Sequence, residues 1–331
     1  MLKLLLLLSL MVCPGFRQGT GKEYWERPDP AGTRTDLASG SDTLRVMSWN
    51  VENFFSPGEF EGHVWSKGRF YTKCGDVAKT ILLAGDAFGG VPDLVGLCEV
   101  GDADVMKALI YSTPLRKLDY AFVHYDSPDR RGIDCALLYR RSRFRVVSSM
   151  PCHLYDSTGA VMSTRDILLA VLEPIPVCKT GDSAHRWGRI AVLVNHHPSK
   201  VGAGSEERRR IAMARLRFLS DSLKAEGIPR IIAIGDFNAP VEPAEGITPA
   251  ASVFPGTIKF QGLWEKIDGC PVLEGFSATE YIFAPPHLLE RDSYGGGKTP
   301  PHLLRPPLQS RHQRPSPDYS GNKIEIFPTF E

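Results

Sequence analysis

Residues 231–238 read Ile-Ile-Ala-Ile-Gly-Asp-Phe-Asn. A short apolar run passes directly into Gly235, Asp236, Phe237 and Asn238, the pattern of a buried strand ending in a tight turn. Such a turn projects one carboxylate, Asp236, and one carboxamide, Asn238. An acid and an amide held side by side can align a nucleophile and offset negative charge as it develops. Ligands of layered α/β proteins collect where strands end. The plain structural reading of the same residues is a strand followed by an Asx turn.

Three further runs repeat the pattern. Residues 44–49 lead into Asn50-Val51-Glu52-Asn53, residues 93–98 end at Glu99, and residues 189–194 end in Asn195-His196-His197-Pro198-Ser199. Taken singly, Asn50 reads as a helix cap, Glu99 as a solvated carboxylate and His196 as a satisfied core residue. Packing alone gives no reason for polar residues to recur at the ends of four apolar runs.

The ordered set Trp49-Asn50-Val51-Glu52-Asn53, Leu97-Cys98-Glu99-Val100, Arg131-Gly132-Ile133-Asp134, Val194-Asn195-His196-His197-Pro198-Ser199 and Gly235-Asp236-Phe237-Asn238 resembles the endonuclease/exonuclease/phosphatase family. The likeness covers roughly residues 44–292. It implies an α/β four-layer sandwich, two packed mixed β-sheets flanked by helices. It also implies hydrolysis of a phosphodiester or phosphomonoester with Mg2+, Mn2+ being the alternative. By the same resemblance Glu99 holds the metal with Asn50 beside it, and Asp236 and Asn238 orient the attacking water and the phosphoryl oxygens. His196 contacts the scissile phosphate, and Asp268, at the end of Trp264-Glu265-Lys266-Ile267-Asp268, supports the catalytic face. His197 stands where many relatives carry an aromatic residue and takes no role. The substrate is a phosphate ester, with nuclease and phosphatase both open; a monomer without a stable protein partner is expected.

One departure is large. Relatives end in Ser-Asp-His-Leu-Pro on a last core strand, and this chain has no Ser-Asp-His. Its last stretch is rich in Pro, Arg, His and Gln, without strand periodicity between Pro300 and Pro317. Synonymous codons can be chosen for residues 302–325 so that a one-base shift reads Thr-Phe-Phe-Gly-Pro-Arg-Tyr-Lys-Ala-Gly-Thr-Ser-Asp-His-Leu-Pro-Ile-Thr-Ala-Glu-Ile-Lys and then stops. The expectation is therefore a frameshifted C-terminus: the family domain at 42–299, a non-native tail at 300–331 and a gap where the last core strand belongs. The alternative function is a non-catalytic phosphate-ligand binder, because the Asp-His pair is absent.

The elements that must position these residues are partly legible. Strands are expected over 134–139, 144–148 and 167–172, with a charged turn at Asp129-Arg130-Arg131-Gly132. A helix is expected from Gly75-Asp76, with Val77, Ile81 and Ala84 on one face. Another is expected over 205–226, with Ser205 as its cap, Ala212, Leu216, Leu219 and Leu223 as its stripe, and Gly227 as its stop. On that helix Arg208, Arg209 and Arg210 read as a solvated face, or as one phosphate anchor.

The chain has 331 residues, 42% hydrophobic, and a net charge of +1. That is enough apolar material for a sizeable core, and nothing marks a strongly basic nucleic-acid binder. Residues 1–16 read as a signal peptide and 17–41 as a linker, so an exported protein, periplasmic or secreted, is expected. Lipid anchoring at Cys13 is the weaker alternative, since Val12 is a poor residue before an acceptor cysteine. The seven cysteines contain no Cys-x-x-Cys pair, which argues against a zinc site, and Cys98 and Cys135 lie in apolar runs as core residues.

Overall fold

Alternation along the strands decides which side chains meet. In the computed structural model, β1 (Thr43–Phe54) is followed by the hairpin β2 (Gly58–Phe60) and β3 (His63–Trp65), then α1 (Lys67–Phe88) and β4 (Leu94–Val100). Next come α2 (Ala103–Tyr111), a 3-10 turn at Pro114–Lys117, β5 (Tyr120–His124), β6 (Asp134–Arg140), β7 (Phe144–Cys152) and β8 (Ile167–Pro174). The chain continues through β9 (Ile190–His196), α3 (Ser205–Ala225), β10 (Arg230–Asp236) and β11 (Ile247–Pro249). The hairpin β12 (Ile258–Phe260) and β13 (Leu263–Glu265), then β14 (Asp268–Glu274), β15 (Ser277–Glu280) and β16 (Lys323–Pro328), complete it. The structure describes residues 43–60, 63–175, 188–250, 252, 255–260, 263–285, 288 and 323–328. All of these fall in one unit, Leu37–Glu331. The signal and linker expectations, Cys13, Cys178 and the tail at 300–322 lie outside the described residues.

Seven strands form one mixed sheet in the order β11-β15-β16-β1-β4-β6-β5, and five form a second in the order β14-β10-β9-β8-β7. β1 runs parallel to β4, and β9 parallel to β10; β6 and β14 run antiparallel to their neighbours β4 and β10. The two sheets face each other. At Gly96 of β4 they approach closely: a Cβ there would stand 2.7 Å from Ile234 Cδ1 of β10.

The outer faces carry the helices. Met47, Trp49, Val51, Val95 and Leu97 pack with Val77, Ile81, Val105 and Leu109 of α1 and α2. Ala191, Leu193, Ile231 and Ala233 pack with Ala212, Leu216, Leu219 and Leu223 of α3. The layers are therefore helix, sheet, sheet, helix. Complete burial of Leu or Ile side chains in such clusters contributes about 1.5–3 kcal/mol each before entropy is counted.

Three expectations are corrected. α1 begins at Lys67, eight residues before Gly75, because the Ser66 side chain accepts from Arg69 N and the buried stripe already includes Phe70 and Cys74. α3 is capped at Gly204 with no side-chain bond; Ser205 is its first helical residue and its hydroxyl donates to Lys200 O at 2.9 Å. The expected gap in the large sheet is filled. β16 lies between β15 and β1, parallel to both, with Lys323 opposite Thr43 and Pro328 opposite Ser48. Its first four residues, Lys-Ile-Glu-Ile, alternate polar and apolar and so can occupy a strand position.

Candidate active site

Residues of even number on β1, β9 and β10 face the opposing sheet, since their odd neighbours pack on the helices. Asn50, His196 and Asp236 have that parity and sit near or at the ends of their strands. They therefore emerge together where the space between the sheets opens into a polar cleft of about 350 Å3.

Glu99 has the wrong parity: by alternation it would join Val95 and Leu97 under the helices. The pairing of β4 slips between Cys98 and Val100, and Glu99 takes a left-handed φ of 65°. That bulge turns its carboxylate into the cleft. Glu52 and Asn53, at the matching break in β1, also have positive φ, and Asn53 N–H donates to Glu99 Oε2 at 2.8 Å.

The four side chains converge. Asn50 Nδ2 donates to Asp236 Oδ2 at 3.2 Å, and Glu52 N–H donates to Asn50 Oδ1. His196 Nε2 stands 3.6 Å from Asp236 Oδ2 and 3.9 Å from Glu99 Oε1. Asn238, at φ 49°, closes the turn after β10: its N–H donates to Asp236 Oδ1 and its carboxamide donates to His197 O. Gly235 makes that turn feasible, because its φ is 142° and a Cβ would lie 1.9 Å from Asn195 O.

Burial sets the charges. It pushes Asp236 up to about 6, against the Asn238 N–H, the Asn50 amide and Arg165, with the Glu99 charge adding to the rise. His196 is pushed well below its usual value, first by burial and then by Arg165, Arg131 and His197, so its imidazole is neutral.

Asp268 is not brought into the cleft. It is fully buried at the start of β14, opposite Asp236 in the antiparallel pair. Among the described residues neither of its carboxylate oxygens has a hydrogen-bond partner. Burial, and then the nearby Asp236, raise it well above the carboxylate range. Thr257 and Lys266 beside it offset part of that rise, while the Thr257 oxygen accepts from the Ile267 and Asp268 amides.

Several cleft residues carried no site role in the sequence reading. Arg131 Nη2 reaches Glu99 Oε1 at 3.6 Å, and Gly132 at φ 63° closes the turn that carries it. Arg165 is buried, pairs with Asp129 Oδ2 at 3.1 Å and donates to His197 O at 2.6 Å. Its signal was a polar Ser163-Thr164-Arg165-Asp166 block against an apolar strand, on the loop before β8 rather than at a strand's end. Of the three α3 arginines, Arg208 lines the cleft, while Arg209 donates to Ser199 O and Arg210 pairs with Glu207.

The sequence profile of the Endonuclease/Exonuclease/phosphatase family matches residues 42–249. No curated protein matches the chain. Among solved structures, the human Nocturnin catalytic domain with bound sulfate is 23% identical, with 60% of this chain and 65% of that chain covered and a TM-score of 0.39. ANGEL2, a 2',3'-cyclic phosphatase, is 20% identical, covering 59% and 53% with a TM-score of 0.37. An endonuclease/exonuclease/phosphatase family protein from Bacteroides thetaiotaomicron is 15% identical, covering 67% and 80% with a TM-score of 0.46. The chain spans less than two thirds of the first two. Members of the profiled family are phosphoester hydrolases that depend on a divalent metal. With its profile matched over more than half of its length, this chain belongs to the Endonuclease/Exonuclease/phosphatase family.

Proposed function

We propose that the chain is an exported phosphoester hydrolase that uses Mg2+, with Mn2+ as substitute, at Glu99 and Asn50. The observation that carries this reading is the convergence of Glu99 and Asp236 within 3.9 Å of His196 Nε2, at the mouth of one polar cleft. The donor set fits the ion. Glu99 has one oxygen held by the Asn53 amide while Oε1 faces the cleft, and the Asn50 amide oxygen, which accepts from Glu52 N–H, has its second lone pair to offer. Hard oxygens of this kind suit Mg2+. When bound, the ion supplies positive charge to the phosphoryl oxygens and screens the crowded carboxylates.

The chain's own groups do the rest. Asp236, fixed by the Asn238 N–H and the Asn50 amide, holds the attacking water in line with the leaving group. Neutral His196 donates one hydrogen bond to a phosphoryl oxygen. Arg131 at the rim and the buried Arg165 add positive charge, so the substrate is bound as an anion. The new bond is water oxygen to phosphorus, the broken one is phosphorus to the leaving oxygen, and the proton the water loses passes to Asp236 and then through solvent to the leaving oxygen.

The test is hydrolysis of a chromogenic phosphodiester with and without Mg2+. Wild type should turn over only with the ion, and Glu99→Gln should lose about 10²-fold or more in kcat without unfolding. Metal-independent turnover, or an unaffected Glu99→Gln, rejects the reading. Export is checked by N-terminal sequencing of protein from the native envelope, which should begin after about residue 12; an intact Met1 in the cytosol rejects it.

A second reading, a phosphate-ligand binder without turnover, is favoured by one observation. Asp268 is buried with both oxygens unpartnered, and the chain contains no Ser-Asp-His to supply it with an imidazole. Phosphate binding without hydrolysis in the same assay would select it.

A further inference from the structure

A second group of ligand-type side chains lies at the end of β5, outside the Glu99 and Asp236 cluster. One nitrogen of His124 and one oxygen each of Asp126 and Asp134 lie within 4.8 Å of one another. The His124 and Asp134 side chains are each 3% exposed, while Asp126 is open to solvent. His124 Nε2 has no hydrogen-bond partner among the described residues. It stands 3.2 Å from Asp134 Oδ2 without the direction of a hydrogen bond. The other Asp134 oxygen is already engaged, by Ser127 N–H at 2.8 Å. A buried ring nitrogen beside a carboxylate but not hydrogen-bonded to it is costly in isolation, and a cation shared between the two removes that cost.

We propose that His124, Asp126 and Asp134 form a second metal site, separate from Glu99 and Asn50, that takes Zn2+. The donor set decides the ion. Mg2+ and Ca2+ take oxygen ligands, whereas an imidazole with two carboxylates suits Zn2+ and its neighbours in the first transition row. Three protein ligands with one solvent-facing carboxylate leave a coordination position for water. The site also has a mechanical consequence. His124 ends β5 and Asp134 begins β6, so the ion joins the two ends of the loop 125–133. That loop carries Arg131 to Glu99 and Asp129 to Arg165. Occupancy would hold both groups at the cleft without the ion itself touching substrate, which makes the three ligands positioning residues.

The full-length, untagged protein is stripped with a chelator and titrated with Zn2+, and with Co2+ as a spectroscopic stand-in. The expected result is one Co2+ with the intense visible bands of a low-coordinate, nitrogen-containing site, displaced by Zn2+ and retained in Glu99→Gln. Zn2+ should raise the melting temperature of wild type and Glu99→Gln by several degrees and slow proteolysis within 125–133. Asp126→Asn changes only an exposed side chain, so it should fold; its Zn2+ affinity should fall roughly tenfold or more and its Co2+ bands should vanish. His124→Ala should do the same. In the Glu99→Gln background, bands typical only of six oxygens, binding that survives both Asp126→Asn and His124→Ala, or no binding at all would each overturn the proposal.

Discussion

Glu99 shows how much of a site can rest on one backbone angle. A left-handed residue that is not glycine costs about 1–3 kcal/mol, and the Asn53 N–H bond to Glu99 is one of the contacts that hold it there. Asn238 is held the same way, so it has a structural part in the turn as well as a chemical one. Asn238→Ala would place Ala at φ 49° and confuse the two. Asn238→Gly keeps the backbone angle and the amide that bonds Asp236, and removes only the carboxamide. Asp236→Asn likewise preserves shape. Each should lower kcat by roughly 10²-fold while the melting temperature moves little. A large fall in melting temperature with a proportionate fall in activity would instead assign both residues to the fold.

At the scale of elements, the sequence revealed the strands better than what sits between them. The apolar runs that became β1, β4, β9 and β10 were legible because buried strands need little beyond apolar continuity, and their polar ends marked Asn50, His196, Asp236 and Asn238. The bulge that aims Glu99 was not legible, because alternation points the other way and no glycine marks the break. Arg165 was missed because loop geometry, not periodicity, delivers it. The start of α1 was missed because Ser66 and Phe70 lie ahead of the more evident Val77, Ile81 and Ala84 stripe. The β10–β14 pair carries a pH prediction. The Asp268 carboxyl is raised well above its ordinary 3.8 by burial and then by Asp236. A carboxyl raised on folding contributes stability that is full below 3.8 and lost as pH rises through its folded value. Asp268→Asn removes that loss. Thermal melts from pH 4 to 8 should therefore show the variant gaining on wild type as pH rises, by roughly 1–3 kcal/mol at the top. A variant less stable than wild type by the same amount at every pH would mean that Asp268 has a partner.

Across the whole molecule, direction is what separates the chain as it stands from the shifted-frame reading of its end. β16 fills the slot beside β1 and runs parallel to it, so its last residue, Pro328, lies opposite Ser48, two residues before Asn50. The chain thus enters the slot from the end away from the cleft. In the shifted reading Ser-Asp-His comes immediately before Leu-Pro-Ile-Thr-Ala-Glu-Ile-Lys. A strand that brings that histidine to Asp268, at the cleft end of β14, must enter from the cleft side and run antiparallel to β1. Both versions pair the backbones of β1 and β15 and avoid an open edge inside the sheet. Only the reversed strand gives the Asp268 carboxylate an imidazole. The shifted-frame protein should therefore show the last strand antiparallel to β1 in an experimental structure and hydrolyse a phosphodiester about 10²-fold or more faster than the chain as it stands. Asp268→Asn should then lower its activity, while leaving the activity of the present chain unchanged. A parallel last strand in the shifted protein, equal rates for the two, or a gene whose neighbouring frame does not spell Ser-Asp-His would leave Lys323–Pro328 as the genuine end of this sheet.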